Sequence, residues 1–163
     1  MERFTHPFGP VYNENSRVLL LGTFPSPKSR EAGYPYAHPQ NRMWKVLGAL
    51  CREEVTLTRE GVHAFLRSHR IALWDVLKSC EIEGASDARI KNPVPNDFSE
   101  IFQDAQIRAV FCTGRKAYDL YMKLCQQREG IPVFCLPSTS PANAAFSLEK
   151  LTAAYRMMDD YIK

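Results

Sequence analysis

Two segments of the chain are rich in proline, serine and other small residues, and each directly follows a short apolar run. The first reads GTFPSPKS from position 22, and the second reads LPSTSPANA from position 136. Proline fixes the backbone angle φ and removes an N–H group, so such loops are rigid. Serine and threonine hydroxyls, together with the remaining backbone N–H groups, bind phosphate oxygens without a large positive charge. The pattern favours contact with a nucleic-acid backbone, although the same residues are also typical of ordinary tight turns.

Four apolar runs are the elements that must position these loops. They are continuous rather than alternating in polarity, which is typical of parallel strands buried on both faces. The runs cover 17–22, 71–77, 107–113 and 131–137. The two segments follow the first and fourth runs, and a third proline-rich segment, KNPVPND (91–97), lies in the long connection after the second run. Because ligands of open α/β sheets bind at the carboxyl ends of the strands, we expect these three loops to converge on one edge.

Helical patterns lie between and after the predicted strands. Apolar residues recur at steps of three and four from Leu148 onwards and again over 114–128, where Thr113 is the predicted cap. Shorter helical candidates are 41–51, 59–68 and a turn that begins at Asn96. Strands that alternate with helices predict an α/β fold with helices on both faces of the sheet. We therefore predict a single domain over 1–163, a three-layer α/β/α sandwich with a central four-stranded parallel sheet.

Missing motifs, the cysteine content and the net charge narrow the classes of protein to which the chain can belong. The chain has no GxxxxGK[ST], GxGxxG, GxSxG or HExxH motif, which removes the commonest motif-bearing α/β enzymes. Its five cysteines are odd in number and lack a CxxC pair, so we expect reduced, mostly buried thiols and no metal or other cofactor. The net charge of +3 fits a nucleic-acid partner without establishing one. No long apolar run or signal peptide is evident, so we expect a cytoplasmic protein that avoids membranes, without an obligate protein partner, as a monomer.

Residues 22–46, GTFPSPKSREAGYPYAHPQNRMWKV, resemble motif 1 of the uracil-DNA glycosylase superfamily. The similarity is strongest to its mismatch-specific branch and its hypoxanthine-DNA (deoxyinosine) glycosylase branch. The segment 136–144 is similar to motif 2 of the same superfamily. This resemblance implies a uracil-DNA glycosylase-like fold that binds DNA and flips a damaged nucleotide into a pocket. It also implies cleavage of the N-glycosidic bond, as in base excision repair, with no requirement for a metal.

Three positions refine what the resemblance implies. Phe24 stands where the best-known branches carry the Asp or Asn that positions water, and Leu136 stands where some branches carry a histidine that stabilises uracil. Asn41 matches the asparagine implicated in the deoxyinosine branch. We therefore predict Asn41 as the catalytic residue, either orienting water or contacting the base, although an asparagine here is also an ordinary helix N-cap. A purine leaving group spreads charge over its imidazole ring and tolerates the loss of the histidine, so Leu136 favours hypoxanthine over uracil.

Further candidates follow from the same motifs and from the end of the second strand. The predicted base-binding residues are Phe24, Tyr36, His38, Trp74 and Asp75. Tyr36 matches a base-stacking aromatic, and Asp75 is placed to accept a hydrogen bond from hypoxanthine N1–H; a turn-capping Asp75 and a loop-ordering His38 are the alternatives. The predicted DNA-backbone contacts are Ser26, Lys28, Ser29, Ser138, Thr139, Ser140 and Asn143, with Lys78, Arg89 and Lys91 as a basic rim.

The predicted function is that of a monofunctional DNA glycosylase that hydrolyses the N-glycosidic bond of a flipped deaminated base, hypoxanthine in deoxyinosine. Two alternatives with the same fold remain open. One is a uracil or mismatch-specific glycosylase. The other is a catalytically idle DNA-binding module, which the loss of a water-positioning side chain at Phe24 would explain.

Overall fold

Strands and helices alternate over most of the chain. The structure, a computed structural model, describes residues 2–82 and 90–163. Within those ranges no helix combines the length and apolar character needed to cross a membrane. In chain order the elements are β1 (Glu2–Thr5), β2 (Val18–Gly22), α1 (Pro27–Ala32), α2 (Met43–Cys51), α3 (Arg59–Ser68), β3 (Ile71–Asp75), β4 (Leu77–Ile82), β5 (Ile90–Pro95), α4 (Ser99–Asp104), β6 (Ala109–Thr113), α5 (Arg115–Leu124), β7 (Val133–Leu136), α6 (Leu148–Tyr155), a 3₁₀ turn (Arg156–Met158) and α7 (Asp159–Ile162).

Four parallel strands form the central sheet in the order β3-β2-β6-β7. Each strand lies within one of the four apolar runs, and β2 and β6 are buried at every position. The chain passes from β2 to β3 on one side and then crosses back to β6 on the other side of β2. Such a reversal opens a crevice at the carboxyl ends of the strands. The predicted four-stranded parallel sheet is confirmed.

Helices cover both faces of this sheet. Leu20 of β2 packs in one core with residues of α2, α3 and α6, whereas Leu19 and Leu21 pack in a second core with residues of α4 and α5. Successive side chains of a strand point to opposite faces, so a strand between two helical layers must be apolar at every position. This arrangement explains the continuous apolar runs and confirms the three-layer α/β/α sandwich.

A second sheet, antiparallel and in the order β1-β4-β5, was not predicted. Its strand β5 occupies most of the segment 91–97, so the expectation that this proline-rich segment is a loop was wrong. The strand lies at the edge of its sheet, where a proline without an N–H group costs no ladder hydrogen bond. The pairing of β1 with β4 brings the first residues of the chain alongside the end of β3.

Two local expectations about helices also need correction. Part of the first proline-rich loop is helical, because Ser26 caps α1 by accepting the Ser29 N–H and Pro27 occupies a first-turn position that needs no N–H donor. Thr113 does not cap α5; Gly114 holds the cap position, with φ at 97°. The Thr113 hydroxyl is instead bound to Tyr155.

Tyr155 ties α6 to the carboxyl edge of the central sheet. The residue is fully buried, and its hydroxyl lies 2.7 Å from Thr113 Oγ1 and donates to the Pro137 carbonyl, also at 2.7 Å. Burial raises the pKa of Tyr155 above its ordinary value, so the hydroxyl remains protonated and able to donate. A single side chain therefore connects the end of β6, the loop after β7 and the last long helix.

We expect Tyr155→Phe to lower the free energy of unfolding by about 1–3 kcal/mol, because it removes two hydrogen bonds at a buried hydroxyl. Chemical denaturation measures the change. Tyr161→Phe is a matched control, since the Tyr161 ring packs against Phe111 and Phe134 while its hydroxyl forms no hydrogen bond with the described residues. Equal destabilisation of both variants would contradict the role of the Tyr155 hydroxyl.

Candidate functional site

A cavity of about 630 Å³ opens at the carboxyl ends of the parallel strands. It is lined by Gly22, Asp75 and Thr113, which end β2, β3 and β6, and by residues of 138–143 after β7. This is the reversal point of the sheet, where the sequence predicted a site. The segment 91–97, all of which is described, does not line the cavity, because it belongs to the antiparallel sheet.

Most of the predicted site residues line this cavity. They are Phe24, Ser26, Ser29, Tyr36, Asn41, Asp75, Ser138, Thr139, Ser140 and Asn143. Three others do not line it. His38 orders its own loop by accepting the Gln40 N–H at Nδ1 (3.1 Å), Trp74 donates from Nε1 to the Phe8 carbonyl (3.0 Å), and Lys28 is exposed on α1.

The predicted basic rim is only partly described. Lys78 and Lys91 are exposed and lie outside the cavity lining, and Arg89 falls outside the described residues. Arg30, which was not predicted, does line the cavity, and its guanidinium carbon lies 4.3 Å from the centre of the Phe4 ring. The electron-rich face of an aromatic ring attracts a cation, so the contact with Phe4 helps to hold the positive Arg30 guanidinium at the cavity wall.

Asn41 connects the start of α2 to the second proline-rich segment. Its Oδ1 accepts the Met43 N–H at 2.9 Å and the Thr139 hydroxyl at 2.8 Å. Asn41 is not the helix N-cap, because Arg42 holds that position of α2 and Asn41 stands one residue before it. The bond to Met43 nevertheless occupies an N–H of the first helical turn, and the bond to Thr139 joins Asn41 to the loop after β7. An amide oxygen has two acceptor positions, and both are taken. The amide nitrogen, a donor, is the part of Asn41 that remains for a ligand.

Arg42, which was not predicted, holds the loop after β7 against the start of α2. Its guanidinium donates to the carbonyls of Ser140 (2.9 Å), Asn143 (3.1 Å) and Phe146, and its main-chain N–H donates to the Thr139 carbonyl at 3.2 Å. The planar guanidinium has five N–H donors in a fixed geometry, which suits it to grip several carbonyls at once. In the sequence, the only signal for a role of Arg42 in the site is its position directly after Asn41.

Hydroxyl groups shape both loops. Ser29 accepts the Ala37 N–H at 3.1 Å, Ser138 accepts the Ser140 N–H at 3.1 Å, and Ser140 accepts the Ala142 N–H at 3.1 Å. Asn143 donates from Nδ2 to the Ser138 carbonyl at 3.0 Å. The bonds accepted by Ser138 and Ser140 span two positions and are the local turn hydrogen bonds expected of such residues, whereas the bond from Ala37 to Ser29 joins residues eight positions apart. Ser29 and Thr139 are also almost fully buried, so both act on the shape of the site from beneath its surface.

Tyr36 adopts a left-handed backbone conformation with φ at 55°, which is uncommon for any residue except glycine. Its neighbours hold it there, because the Pro35 carbonyl accepts the Trp44 Nε1–H at 3.1 Å and the Ala37 N–H is bound to Ser29. Such a conformation costs about 1–3 kcal/mol and persists only where the surroundings fix it. These two hydrogen bonds on either side of Tyr36 hold the residue where it lines the cavity.

His6 is a further residue that was not predicted, and it contacts Asp75. Its Nε2 lies 2.7 Å from Asp75 Oδ2, and only 4% of the His6 side chain and 7% of the Asp75 side chain are exposed. The two residues are 69 positions apart, and β1 brings them together by pairing with β4. No local pattern in the sequence predicts a contact between two residues so far apart in the chain.

Gly22 forms the floor between Tyr36 and Asp75. A Cβ atom at this position would lie 2.4 Å from the Tyr36 hydroxyl oxygen and 2.5 Å from Asp75 Oδ1. Both distances are far below van der Waals contact, so only glycine leaves room for these two polar groups beside the end of β2.

We expect Gly22→Ala to lower the free energy of unfolding by about 1–3 kcal/mol, because an added methyl group must displace two packed side chains. Thermal or chemical denaturation measures the loss. Gly9→Ala is the matched control, since a Cβ at position 9 meets no atom within 4 Å. Wild-type stability in Gly22→Ala would show that Tyr36 and Asp75 are not confined as described.

All five cysteines are described by the structure, and none of them lines the cavity. Cys80 and Cys112 are buried, Cys51 and Cys125 are half-buried and Cys135 is exposed, so the prediction of mostly buried thiols is confirmed only in part. Burial raises the pKa of Cys112 to about 12 and that of Cys51 and Cys125 to about 11, so these thiols are protonated and poor nucleophiles. In the part of the chain that the structure describes, no group of three or more His, Cys, Asp or Glu residues is arranged to hold a metal ion.

Comparison with known proteins places the fold and the cavity in one family. Residues 10–160 match the family model of the uracil DNA glycosylase superfamily. The chain is similar to a hypoxanthine DNA glycosylase of Methanosarcina acetivorans, with 34% identity over 142 residues that cover 86% of this chain and 89% of the relative. A hypoxanthine DNA glycosylase of Methanosarcina barkeri is 33% identical over 112 residues, which cover 68% of this chain and 71% of the relative.

A solved structure agrees with these relatives. The solution NMR structure of a candidate uracil DNA glycosylase from Methanosarcina acetivorans aligns with a TM-score of 0.76 and 31% identity, over 95% of this chain and 98% of that one. The family match spans the central sheet and every segment that lines the cavity. The chain belongs to the uracil DNA glycosylase superfamily, as the resemblance of residues 22–46 and 136–144 predicted.

Proposed function

We propose that the chain is a monofunctional DNA glycosylase that hydrolyses the N-glycosidic bond of deoxyinosine and releases hypoxanthine. The observation that carries this proposal is the pairing of a donor, the amide nitrogen of Asn41, with an acceptor, the carboxylate of Asp75, on one cavity. Hypoxanthine presents a matching edge, with N–H at position 1 and acceptors at O6, N3 and N7. Both Methanosarcina relatives are named hypoxanthine DNA glycosylases, which supports this choice of base.

Asn41 acts on the departing base. Its oxygen is saturated by Met43 and Thr139, so it has no acceptor position left to orient the hydrogens of an attacking water. Its amide nitrogen instead donates to an acceptor of hypoxanthine. As the bond from C1′ to N9 breaks, the electron pair moves onto the base, and a fixed donor stabilises that charge. The sugar cation then takes a water oxygen at C1′, and the water proton passes to solvent or to the base.

Asp75 and Tyr36 bind the flipped base. The Asp75 carboxylate accepts hypoxanthine N1–H, an interaction that adenine, with an unprotonated N1, does not offer. Stacking of the base on the Tyr36 ring contributes about 1–3 kcal/mol, as is usual for base–aromatic contacts. Phe24 adds apolar surface at the same wall but has no polar atom to handle water. This division of roles favours stabilisation of the leaving group over activation of the nucleophile.

The DNA backbone meets the rim of the cavity. Ser26 and Lys28 are exposed at the start of α1, and Ser138, Ser140 and Asn143 lie on the opposite side in the loop after β7. Groups on two sides of a cavity can hold the phosphates that flank a flipped nucleotide. Ser29 and Thr139 are too deeply buried to reach a phosphate, so we assign them to holding Tyr36 and Asn41.

The substrate is tested with three duplexes that each carry one deoxyinosine, one deoxyuridine or one G·T mismatch. Alkali then cleaves any abasic site, and strand breaks are quantified. We expect breaks at deoxyinosine. Breaks at deoxyuridine or at the mismatch, with deoxyinosine intact, would favour the uracil or mismatch enzyme. Binding without breaks in any duplex would favour the idle DNA-binding module.

The donor role of Asn41 is tested with Asn41→Ala and Asn41→Asp. We expect both variants to slow single-turnover excision by about 10²–10³-fold, as when one fixed donor to a developing anion is removed. Asp keeps the acceptor and loses the donor, so excision by Asn41→Asp at a rate near wild type would contradict a donor role and favour water orientation. Asn15→Asp, an exposed change in the turn before β2, is the matched control. Thermal unfolding verifies that each variant is folded.

A further inference from the structure

We propose that His6 is a positioning residue for base recognition, acting by fixing which oxygen of Asp75 faces the flipped base. This inference rests on the proposed function, because it concerns how the acceptor for hypoxanthine N1–H is held. His6 precedes the residues matched by the family model and lies outside the cavity lining, so neither the family nor the cavity identifies it.

Both nitrogens of the His6 ring have defined partners. Nδ1 accepts the Phe8 main-chain N–H at 3.0 Å, which requires an unprotonated Nδ1 and places the ring proton on Nε2. Nε2–H therefore donates to Asp75 Oδ2 at 2.7 Å. The main-chain N–H of His6 donates to the Lys78 carbonyl at 2.7 Å, which continues the pairing of β1 with β4. These three hydrogen bonds fix the orientation of the His6 ring, its tautomer and its backbone.

Aromatic rings enclose this contact. The rings of Phe8 and Phe24 lie edge-on to His6 with centroids at 5.6 Å, and the Trp74 ring lies at 6.3 Å. Little water reaches the pair, as the low exposure of both side chains shows. A buried carboxylate is costly unless it is hydrogen-bonded, so this shell makes the His6 donor important to Asp75. Phe24 also lines the cavity, so the ring that packs against the imidazole is part of the cavity wall.

The geometry gives the two carboxylate oxygens different tasks. Oδ2 is bound by His6, whereas Oδ1 lies over Gly22, which lines the cavity floor. A carboxylate held at one oxygen cannot rotate freely about its Cβ–Cγ bond, so Oδ1 keeps a defined direction toward the base. Donation from Nε2 also withdraws negative charge from the carboxylate. A weaker charge repels the departing base less while the acceptor for N1–H is retained.

The test uses full-length His6→Leu and His6→Gln. Leu fills a similar volume without a donor, whereas the Gln amide reaches about as far as Nε2 and can donate to Asp75. We expect His6→Leu to slow single-turnover excision of hypoxanthine by about tenfold or more and His6→Gln to restore most of the rate. Affinity for a duplex with a tetrahydrofuran abasic-site analogue, which has no base to read, should stay within about twofold of wild type. Thermal unfolding verifies that both variants are folded.

A double-variant cycle tests whether His6 acts through Asp75. In an Asp75→Ala background, His6→Leu should cause no further loss of excision, because the carboxylate that it positions is gone. Four results would overturn the inference: wild-type excision by His6→Leu, equal loss in His6→Leu and His6→Gln, a parallel loss of abasic-site affinity, or a further loss in the double variant. A wild-type protein that leaves deoxyinosine intact would instead refute the proposed function, and this inference with it.

Discussion

Arg42 and Asn41 carry the contact on which the cavity depends, because together they join the start of α2 to the loop after β7. The guanidinium holds three main-chain carbonyls of that loop, and the neighbouring amide holds the Thr139 hydroxyl. Neither segment belongs to a helix or strand where it lines the cavity, so regular backbone hydrogen bonds do not fix it. The side chains of Asn41 and Arg42, together with the Arg42 main-chain N–H, hold the two segments together instead. Asn41, the residue proposed to act on the base, is thereby held in position by the loop after β7, which itself forms part of the cavity wall.

A polar pair inside an apolar shell is the second organising feature. Asp75 ends β3 at the carboxyl edge, where a carboxylate would ordinarily be solvated, yet it is almost fully buried. His6 offsets part of the cost of that burial, and Phe24 covers the imidazole. Position 24 therefore has a structural reason to be apolar. Phe24 has no polar group that could position water. Its ring instead packs against His6, whose hydrogen bond is proposed to orient Asp75 toward the base.

The central sheet was predictable because strands between two helical layers must be apolar at every position, and that signal is local. The antiparallel sheet was not, since no residue of β1 or β5 is fully buried, so neither strand forms an apolar run, and prolines interrupt β5. The same distinction applies to the site. Asn41 lies within a long motif that identifies it, and the structure brings it to the cavity as expected. His6 becomes visible only once the pairing of β1 with β4 is known.

The site is built from contacts between distant parts of the chain. His6 and Asp75 are separated by 69 residues, Asn41 and Thr139 by 98, and Arg42 and Phe146 by 104. Each of these contacts closes a large loop of the chain, and the entropic cost of that closure must be met before the contact can form. During synthesis, the chain can complete the cavity only after the loop following β7 has left the ribosome. A partly made chain thus has the first motif but no assembled pocket, so base capture becomes possible only when folding is nearly complete.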